Sequence, residues 1–376
     1  MTKKFELTEN KKNWEGVSLY QIKACKAFTA NSGVEVSEGE LGGWIEKEEN
    51  LSQEGKAWIW DDAKVWGSAE ISKNAEIYGN AEIFGAAKIS GNAKISGDTK
   101  ISGNAIVCGN SEIYGDVEIS GSAKISGNAE IYGKAKISGN AQIYGDTIVC
   151  DSAKVFGVAK VFGDAKVYDN AIVCGNSEIY GNAKVWEDAQ ISGNAKVWGD
   201  ANIFDNAKIL GYSKIYGSAK IYDNAKILGY SEISGNAKIV GNAYITGNAK
   251  VFDNTIICDN AIIRDNAYIA GNAIVWDSAE IFDSAKIYGE VKIGGNAKIG
   301  EDAEISSPED LLTVTPVGKY KIPITFFKTK NDLIKISYNW EIYTLEKFDS
   351  VMSDWIEKEK KVVKAAIELA KLQIKI

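Results

Sequence analysis

The five cysteines are the side chains of this 376-residue sequence with the clearest capacity for chemistry. They are Cys25, Cys108, Cys150, Cys174 and Cys258. Their number is odd and none has C-x-x-C spacing, which argues against a disulfide framework and against a zinc site. The last four each follow an aliphatic position of a repeat, as in Ala171-Ile172-Val173-Cys174. We therefore interpret them as reduced thiols and as variants of one repeat position.

Histidine is absent from the sequence, and this bears on several kinds of chemistry. Histidine is the commonest metal ligand and a frequent general base, and without it a cysteine nucleophile lacks its usual partner. Pairs of acidic and basic residues such as Asp62-Ala63-Lys64 are plentiful, but no pair stands out from the repeat. The sequence therefore predicts a protein that is not an enzyme, with no catalytic residues and no cofactor.

Aspartates recur at the turns of the repeat, where they could suggest a calcium site. They are Asp253, Asp259, Asp265, Asp277 and Asp283. Each replaces the glycine of the usual turn pair, and an aspartate side chain can support a turn by hydrogen bonding to nearby backbone. The calcium-binding β-roll uses a nine-residue repeat instead. We therefore expect no metal site.

The elements that position these residues follow a period of six. Every sixth residue from Ile59 to Ile305 is Ile or Val, which is (305 − 59)/6 = 41 steps and 42 consecutive aliphatic positions. Four residues after each comes a small residue, usually alanine, and a turn pair such as Gly79-Asn80 separates the two. A short fixed period of this kind is typical of a β-solenoid.

One repeat unit, Ile-x-Gly-Asn-Ala-Lys, predicts a short strand followed by a corner. Side chains alternate across a strand, so Ala and Ile should face the interior while Lys and x face outward. Gly and Asn tolerate the left-handed backbone angles that a corner requires. Three units should close a triangular coil of about 18 residues, giving about 14 coils in all. The predicted fold class is an all-β solenoid.

The sequence departs from the repeat at both ends, where a solenoid needs caps to cover its open sheet edges. We predict a small β-rich N-terminal cap over 1–57, the hexapeptide-repeat β-helix over 58–306, and a small C-terminal α+β module over 307–376.

Local patterns suggest the elements of the two caps. The strand-like runs are at 5–7, 17–22, 320–328 and 333–338. The segment LGGWI at 41–45 predicts a turn, and the chain should finish helical from about 344 to 374. The apolar stripe of the last helix, which should pack on the module or on the final coil, consists of Val362, Val363, Ala366, Ile367, Ala370 and Leu372.

The charge balance and the ends of the sequence limit the partners. Forty-three basic and 51 acidic residues give a net charge of −8, which disfavours gross attraction to nucleic acid or to an anionic membrane. No apolar run is long enough to span a bilayer. The N-terminus MTKKFELTENKKNWEG lacks the apolar segment of a signal peptide. We predict a cytoplasmic protein with no membrane partner.

The repeat over 59–305 resembles the hexapeptide repeat of left-handed β-helix proteins, and the left hand is an implication of that resemblance. The best-known members are acyltransferases, which use a histidine base and loops that protrude from the coils. This sequence has no histidine, and its repeat has no loop insertion. An acyltransferase-like activity is therefore a disfavoured alternative.

The two ends carry a closer resemblance. The stretch LGGWIEKEENLS at 41–52, followed by GKAWI at 55–59, is similar to the start of YdcK-type β-helix proteins and of hexapeptide-repeat proteins encoded by phages and prophages. The segments ITFFK at 324–328 and AIELAK at 366–371 look like the small C-terminal module of those phage proteins. The resemblance implies a phage-associated protein without enzymatic activity.

The outward residue that follows each aliphatic position varies most, and residues 18 apart should stack on one face. On a first face the aromatic candidates for partner binding are Tyr168, Trp186, Phe204 and Tyr222, and on a second face they are Phe162, Tyr180, Trp198 and Tyr216. The third face is plainer. Such rings could simply pack on one another and stabilise neighbouring coils, or they could form an apolar surface for a partner.

Four functions follow from these observations. The first is a non-catalytic protein-binding solenoid that acts on a host or phage protein, such as a host defence complex. The second is a structural or self-assembling scaffold or virion component, and the third is the disfavoured acyltransferase. The fourth is single-stranded nucleic-acid binding, because lysines flank the rings. Those lysines are Lys166, Lys184 and Lys220 on the first face, and Lys160, Lys196 and Lys214 on the second.

Overall fold

The computed structural model describes residues 3–317, 322–339 and 341–376. Between residues 58 and 305, all of which are described, 42 strands recur every six residues, from Trp58–Ile59 to Glu304–Ile305. Each is two residues long and ends on the Ile or Val of the repeat. The exceptions are Gln142–Gly145 and Lys160–Gly163, which have four residues. The strands are short because a turn interrupts the extended chain in every repeat unit.

Each solenoid strand pairs in parallel with the strand 18 residues further along the chain. In one such pair Glu82 lies opposite Lys100, and Ile83 lies opposite Ile101. A coil therefore holds three strands, as predicted. The Ile and Val side chains of the repeat are 0–1% exposed and form the core. The fold is a left-handed parallel β-helix, which confirms the predicted fold class.

The chain forms two compact units, Met1–Gly193 and Asn194–Ile376. The first contains the N-terminal strands and the solenoid strands up to Gln190–Ile191. The second contains the solenoid strands from Lys196–Val197 onward, together with a C-terminal sheet and two helices.

The first unit begins with antiparallel strands that lead into the solenoid. The N-terminal strands are Phe5–Trp14, Val17–Ala24, Phe28–Thr29, Glu35–Val36 and Leu41–Ile45, and a 3-10 turn spans Glu48–Asn50. The strand Leu41–Ile45 pairs antiparallel with the second of these and in parallel with Lys64–Val65. Leu51 bridges in parallel to Ile71. The inward columns therefore begin before the strict repeat, and the solenoid has about 15 turns instead of about 14.

The segment LGGWI at 41–45 is a strand, so the predicted turn is wrong. Its glycines serve close packing. A Cβ on Gly42 would lie 2.6 Å from the backbone oxygen of Ile59 and 2.7 Å from a side-chain carbon of Ile22. A Cβ on Gly43 would lie 2.5 Å from a methyl group of Ile59. The absence of side chains at these two positions lets the cap strand lie directly on the first coil.

The corners use left-handed backbone, as the repeat predicts. Gly91 has φ +73°, and the five turn aspartates identified in the sequence have φ between +53° and +61°. The aspartate carboxylate also reaches the next coil. Asp223 at φ +56° accepts a hydrogen bond from the backbone N–H of Gly241 at 3.1 Å. An aspartate therefore replaces glycine where its side chain offsets part of the backbone strain.

The C-terminal module of the second unit is a four-stranded antiparallel sheet with two helices. After a 3-10 turn at Pro308–Asp310, its strands are Leu311–Val317, Ile322–Lys328, Ile334–Tyr338 and Glu341–Thr344, and its helices are Leu345–Val351 and Glu357–Gln373. The predicted strand over 320–328 is present from Ile322, and residues 320–321 lie outside the described residues. Lys335 pairs with Glu301 and Asp302, which ties the sheet to the last coil.

The region over 344–374 is helical as predicted, but the chain breaks between the two helices. Trp355 lies in this break, is 5% exposed, and packs against Tyr338 with ring centroids 5.0 Å apart. Val363, Ala366, Ile367 and Ala370 of the second helix are buried as predicted, whereas Val362 and Leu372 are exposed. The helix thus buries a narrower stripe than the sequence suggested.

Candidate protein-binding surface

The outward position of the repeat is built by the alternation of each short strand. In Lys166–Val167, for example, Val167 points into the core, and the neighbouring Lys166 and Tyr168 are partly or fully exposed. The backbone N–H of Tyr168 bonds to the carbonyl of Val185, 17 residues on, at 3.1 Å. This bond fixes each outward side chain above the equivalent side chain of the next coil.

In the first unit the candidate rings form stacked columns. Phe162 lies between Tyr144 and Tyr180, with ring centroids 4.9 Å and 4.8 Å apart and planes within 5° of parallel. Tyr168 stacks on Trp186 at 5.7 Å. Both columns were predicted from the 18-residue spacing.

In the second unit two further pairs stack in the same manner. Trp198 and Tyr216 have centroids 4.5 Å apart, and Phe204 and Tyr222 have centroids 4.8 Å apart. All eight candidate rings are half-buried. Each of these rings has at least one face covered by a stacked neighbour, so ring edges form much of the accessible surface.

The stacking bears on the nucleic-acid alternative. A base stacks on the face of an aromatic side chain, but both faces of Phe162 are already covered by tyrosines. The flanking lysines are exposed or half-buried, and Lys160 is paired with Glu178 at 3.3 Å. The geometry therefore suits contacts to ring edges and hydroxyl groups better than base stacking.

The most exposed rings are ones that the sequence analysis did not select. Tyr212 and Tyr230 are 51% and 63% exposed and stack at 4.8 Å. They occupy the second turn position, where the repeat usually has asparagine. The signal was present in the sequence as the doubled segment ILGYS at 209–213 and 227–231. The candidate rings were selected at the outward position that follows each aliphatic residue, and the turn positions of Tyr212 and Tyr230 lie outside that set.

The cysteine thiols are poor nucleophiles in their surroundings. Burial, together with the carboxylate of Asp151, which accepts a hydrogen bond from Sγ at 3.2 Å, raises the pKa of Cys150 to about 11. Burial likewise raises the pKa of Cys258 to about 11 and that of Cys174 above its usual value. A reactive cysteine needs the opposite shift, toward the thiolate.

One cavity lies in the second unit between the last coils and the C-terminal sheet. It has a volume of about 370 Å³. The carboxylate of Glu280 in its wall accepts hydrogen bonds from Arg264 Nε at 2.7 Å and from Lys298 Nζ at 3.1 Å. Arg264 also pairs with Asp265, so two cations face two carboxylates, and the cluster links three successive coils.

Comparison of the chain with protein-family models and with curated proteins gives no match. The likeness of its ends to YdcK-type and phage-encoded proteins therefore stays a prediction. Among the described residues, no helix is both long and apolar enough to cross a membrane. In the same part of the chain, no three His, Cys, Asp or Glu side chains are placed to share a metal ion.

Proposed function

We propose that this protein is a non-catalytic, protein-binding β-solenoid whose outer walls contact the partner. The observation that carries the proposal is the set of stacked, half-buried aromatic columns at outward positions. Tyrosine and tryptophan are the usual anchors of protein interfaces, since they bury a large area and lose little conformational entropy.

The walls are also suited to binding because they are already ordered. Each column residue follows a strand whose hydrogen bonds and neighbouring rings hold its side chain. These side chains therefore lose little conformational entropy when a partner binds them. In Tyr216 the hydroxyl group donates to Glu232 at 2.7 Å, so even the polar end of this ring has a fixed direction.

The chemistry of the chain supports a role without catalysis. There is no histidine to serve as a general base, and the raised thiol pKa values of Cys150 and Cys258 oppose nucleophilic attack near neutral pH. Calorimetry with acetyl-coenzyme A tests the acyltransferase alternative, and we expect no binding.

The resemblance of both ends to phage-encoded proteins suggests the kind of partner. A phage protein that binds without catalysis can act on a host factor by blocking one of its surfaces. We propose a host protein as the partner, with a defence complex as the leading candidate.

Capture from a bacterial lysate tests this function. The protein with Trp186→Glu and Trp198→Glu should lose a partner that the unchanged protein captures, because two carboxylates, which would lose water in the interface, replace two aromatic anchors. The matched control is Ser120→Glu with Ser138→Glu, which adds the same charge to the plainer face. Equal capture by both variants would refute binding through the columns. If the tryptophan variant loses capture only because it no longer folds, as circular dichroism would show, the rings serve stability.

A further inference from the structure

At the corner formed by Tyr212 and Tyr230, two exposed aromatic side chains replace the asparagines that are usual in the repeat. These are the most exposed aromatic side chains among the described residues, at 51% and 63%. In the neighbouring coils the same corner position is Asn194 and Asn248, and the Asn248 amide donates to Asn266 at 3.0 Å. The tyrosines thus replace a residue type that links coils by hydrogen bonds, and they expose apolar surface instead.

The corner itself keeps its regular backbone. The N–H groups of Tyr212 and Tyr230 bond to the carbonyls of Gly229 and Gly247, both at 2.7 Å. The hydroxyl groups of the following serines, Ser213 and Ser231, donate to the carbonyls of Leu210 and Leu228, also at 2.7 Å. The turn hydrogen bonds therefore do not depend on the tyrosine side chains, whose own contact in the fold is the stack of one ring on the other.

Apolar side chains continue the exposed surface on both sides of the corner. Leu210 and Leu228 are half-buried on the wall before it, and Tyr216, stacked on Trp198, lies on the wall after it. We call these six side chains, Trp198, Leu210, Tyr212, Tyr216, Leu228 and Tyr230, the corner patch. Lys214 and Glu232 lie between the corner tyrosines and Tyr216, so the exposed apolar side chains of the corner patch stand beside charged ones, a combination that is usual in protein interfaces.

The charges beside the corner indicate what covers it. The doubled segment continues as Ser213-Lys214 in one coil and Ser231-Glu232 in the next. Lys214 and Glu232 lie opposite each other in the parallel ladder, each two residues after a corner tyrosine. A two-fold axis between these coils, perpendicular to the solenoid axis, places Lys214 of each copy against Glu232 of the other. The patch is then complementary to itself in charge as well as in apolar character.

We propose that the corner patch binds a second copy of this chain, with the two solenoids antiparallel and Tyr212 of each copy against Tyr230 of the other. Lys208 and Lys226 precede Leu210 and Leu228 by two residues and lie at the edge of the corner patch. There, solvent and salt screen the repulsion between these lysines of the two copies. The inference deepens the proposed function, because it rests on the same outer surface and names one partner of it.

Sedimentation equilibrium of the full chain tests the contact. We expect a mass of twice 40.7 kDa for the unchanged protein at concentrations up to about 100 µM, where a dimer of micromolar affinity is well populated. Tyr212→Asn with Tyr230→Asn should give the monomer mass and keep the circular dichroism spectrum of the folded protein, since asparagine is the usual residue at this corner. The control Tyr114→Ser, at another exposed ring, should remain dimeric.

Charge reversal distinguishes this arrangement from any other. Lys214→Glu alone and Glu232→Lys alone should each weaken the dimer at least tenfold, because like charges then meet twice. The double variant K214E/E232K should restore it. A monomeric unchanged protein, a dimeric asparagine variant, or a double swap that stays monomeric would each overturn the proposal. Tyr212→Asn with Tyr230→Asn leaves all eight rings of the aromatic columns in place, so the capture of a foreign protein by this variant tests the columns separately from the dimer.

Discussion

The indole ring of Trp198 lies parallel to the phenol ring of Tyr216, with centroids 4.5 Å apart and planes 6° apart. The backbone sets this spacing, because the N–H of Trp198 bonds to the carbonyl of Ile215 at 2.9 Å. Neighbouring strands in a sheet lie at about this distance regardless of their side chains. The rings therefore gain contact without any change in the coils, and the same column can stabilise the solenoid and bind a partner.

We predict a measurable coupling between these two rings. In a double-mutant cycle of Trp198→Ser and Tyr216→Ser, the interaction should contribute about 0.5–1.5 kcal/mol to the free energy of unfolding, as other aromatic pairs do. Serine is a suitable replacement because it occupies this outward position in other coils, such as at Ser192 and Ser234. Urea unfolding of the four proteins gives the coupling. Purely additive effects would mean that the contact between the two rings does not stabilise the fold.

The small position of the repeat should not tolerate a large side chain. Ala219 is fully buried in the second unit. Ala219→Leu should lower the free energy of unfolding by about 1–3 kcal/mol, because the closed coil has no room for the added atoms. The exposed Lys220→Leu is the matched control and should change it by less than about 0.5 kcal/mol. Equal urea midpoints for the two variants would show that the core is loosely packed.

The regularity of the chain explains how much of the fold could be predicted. The aliphatic period alone gives the strand positions, the inward faces and the 18-residue coil, because every coil meets the same constraints. The caps follow no such repeat. Gly42 and Gly43 fit a turn as well as a closely packed strand, and only their contacts with Ile22 and Ile59 distinguish the two. Likewise, the helix break at Trp355 follows from its contact with Tyr338, which no local pattern reveals.

The candidate site could be predicted in part for the same reason. The stacking of Phe162 on Tyr180 and of Phe204 on Tyr222 follows directly from the period. How far a ring is exposed depends on its neighbours, so the greater exposure of Tyr230 became evident only in the structure. The sequence of this chain does not specify which molecule binds this surface, so the identity of the partner stays a prediction.

At a corner glycine, substitution by aspartate should destabilise the protein less than substitution by alanine. Gly229 has φ +71°, and a Cβ there would lie 2.6 Å from the carbonyl oxygen of Gly247. Gly229→Ala should therefore be strongly destabilising, by about 1–3 kcal/mol. Gly229→Asp should cost about 1 kcal/mol less, because its carboxylate can accept the N–H of Gly247 as Asp223 accepts that of Gly241. Thermal melting of both variants tests this order. If alanine is tolerated better, the hydrogen bond does not explain the aspartates.

The thiol of Cys150 should ionise only at strongly alkaline pH in the folded protein. Its pKa is raised from 9.0 to about 11, so in a variant with the other four cysteines replaced by serine, the alkylation rate should reach half its maximum near pH 11. In urea the midpoint should return to about 9. The thiol ionises at a lower pH in the unfolded chain than in the folded protein. The free energy of unfolding should therefore fall as the pH rises from 9 to 11. Asp151→Asn should shift the folded midpoint downward, since the neighbouring carboxylate is one cause of the raised pKa. A folded midpoint close to 9 would instead mean that the thiol is open to water, and that its surroundings do not suppress its reactivity.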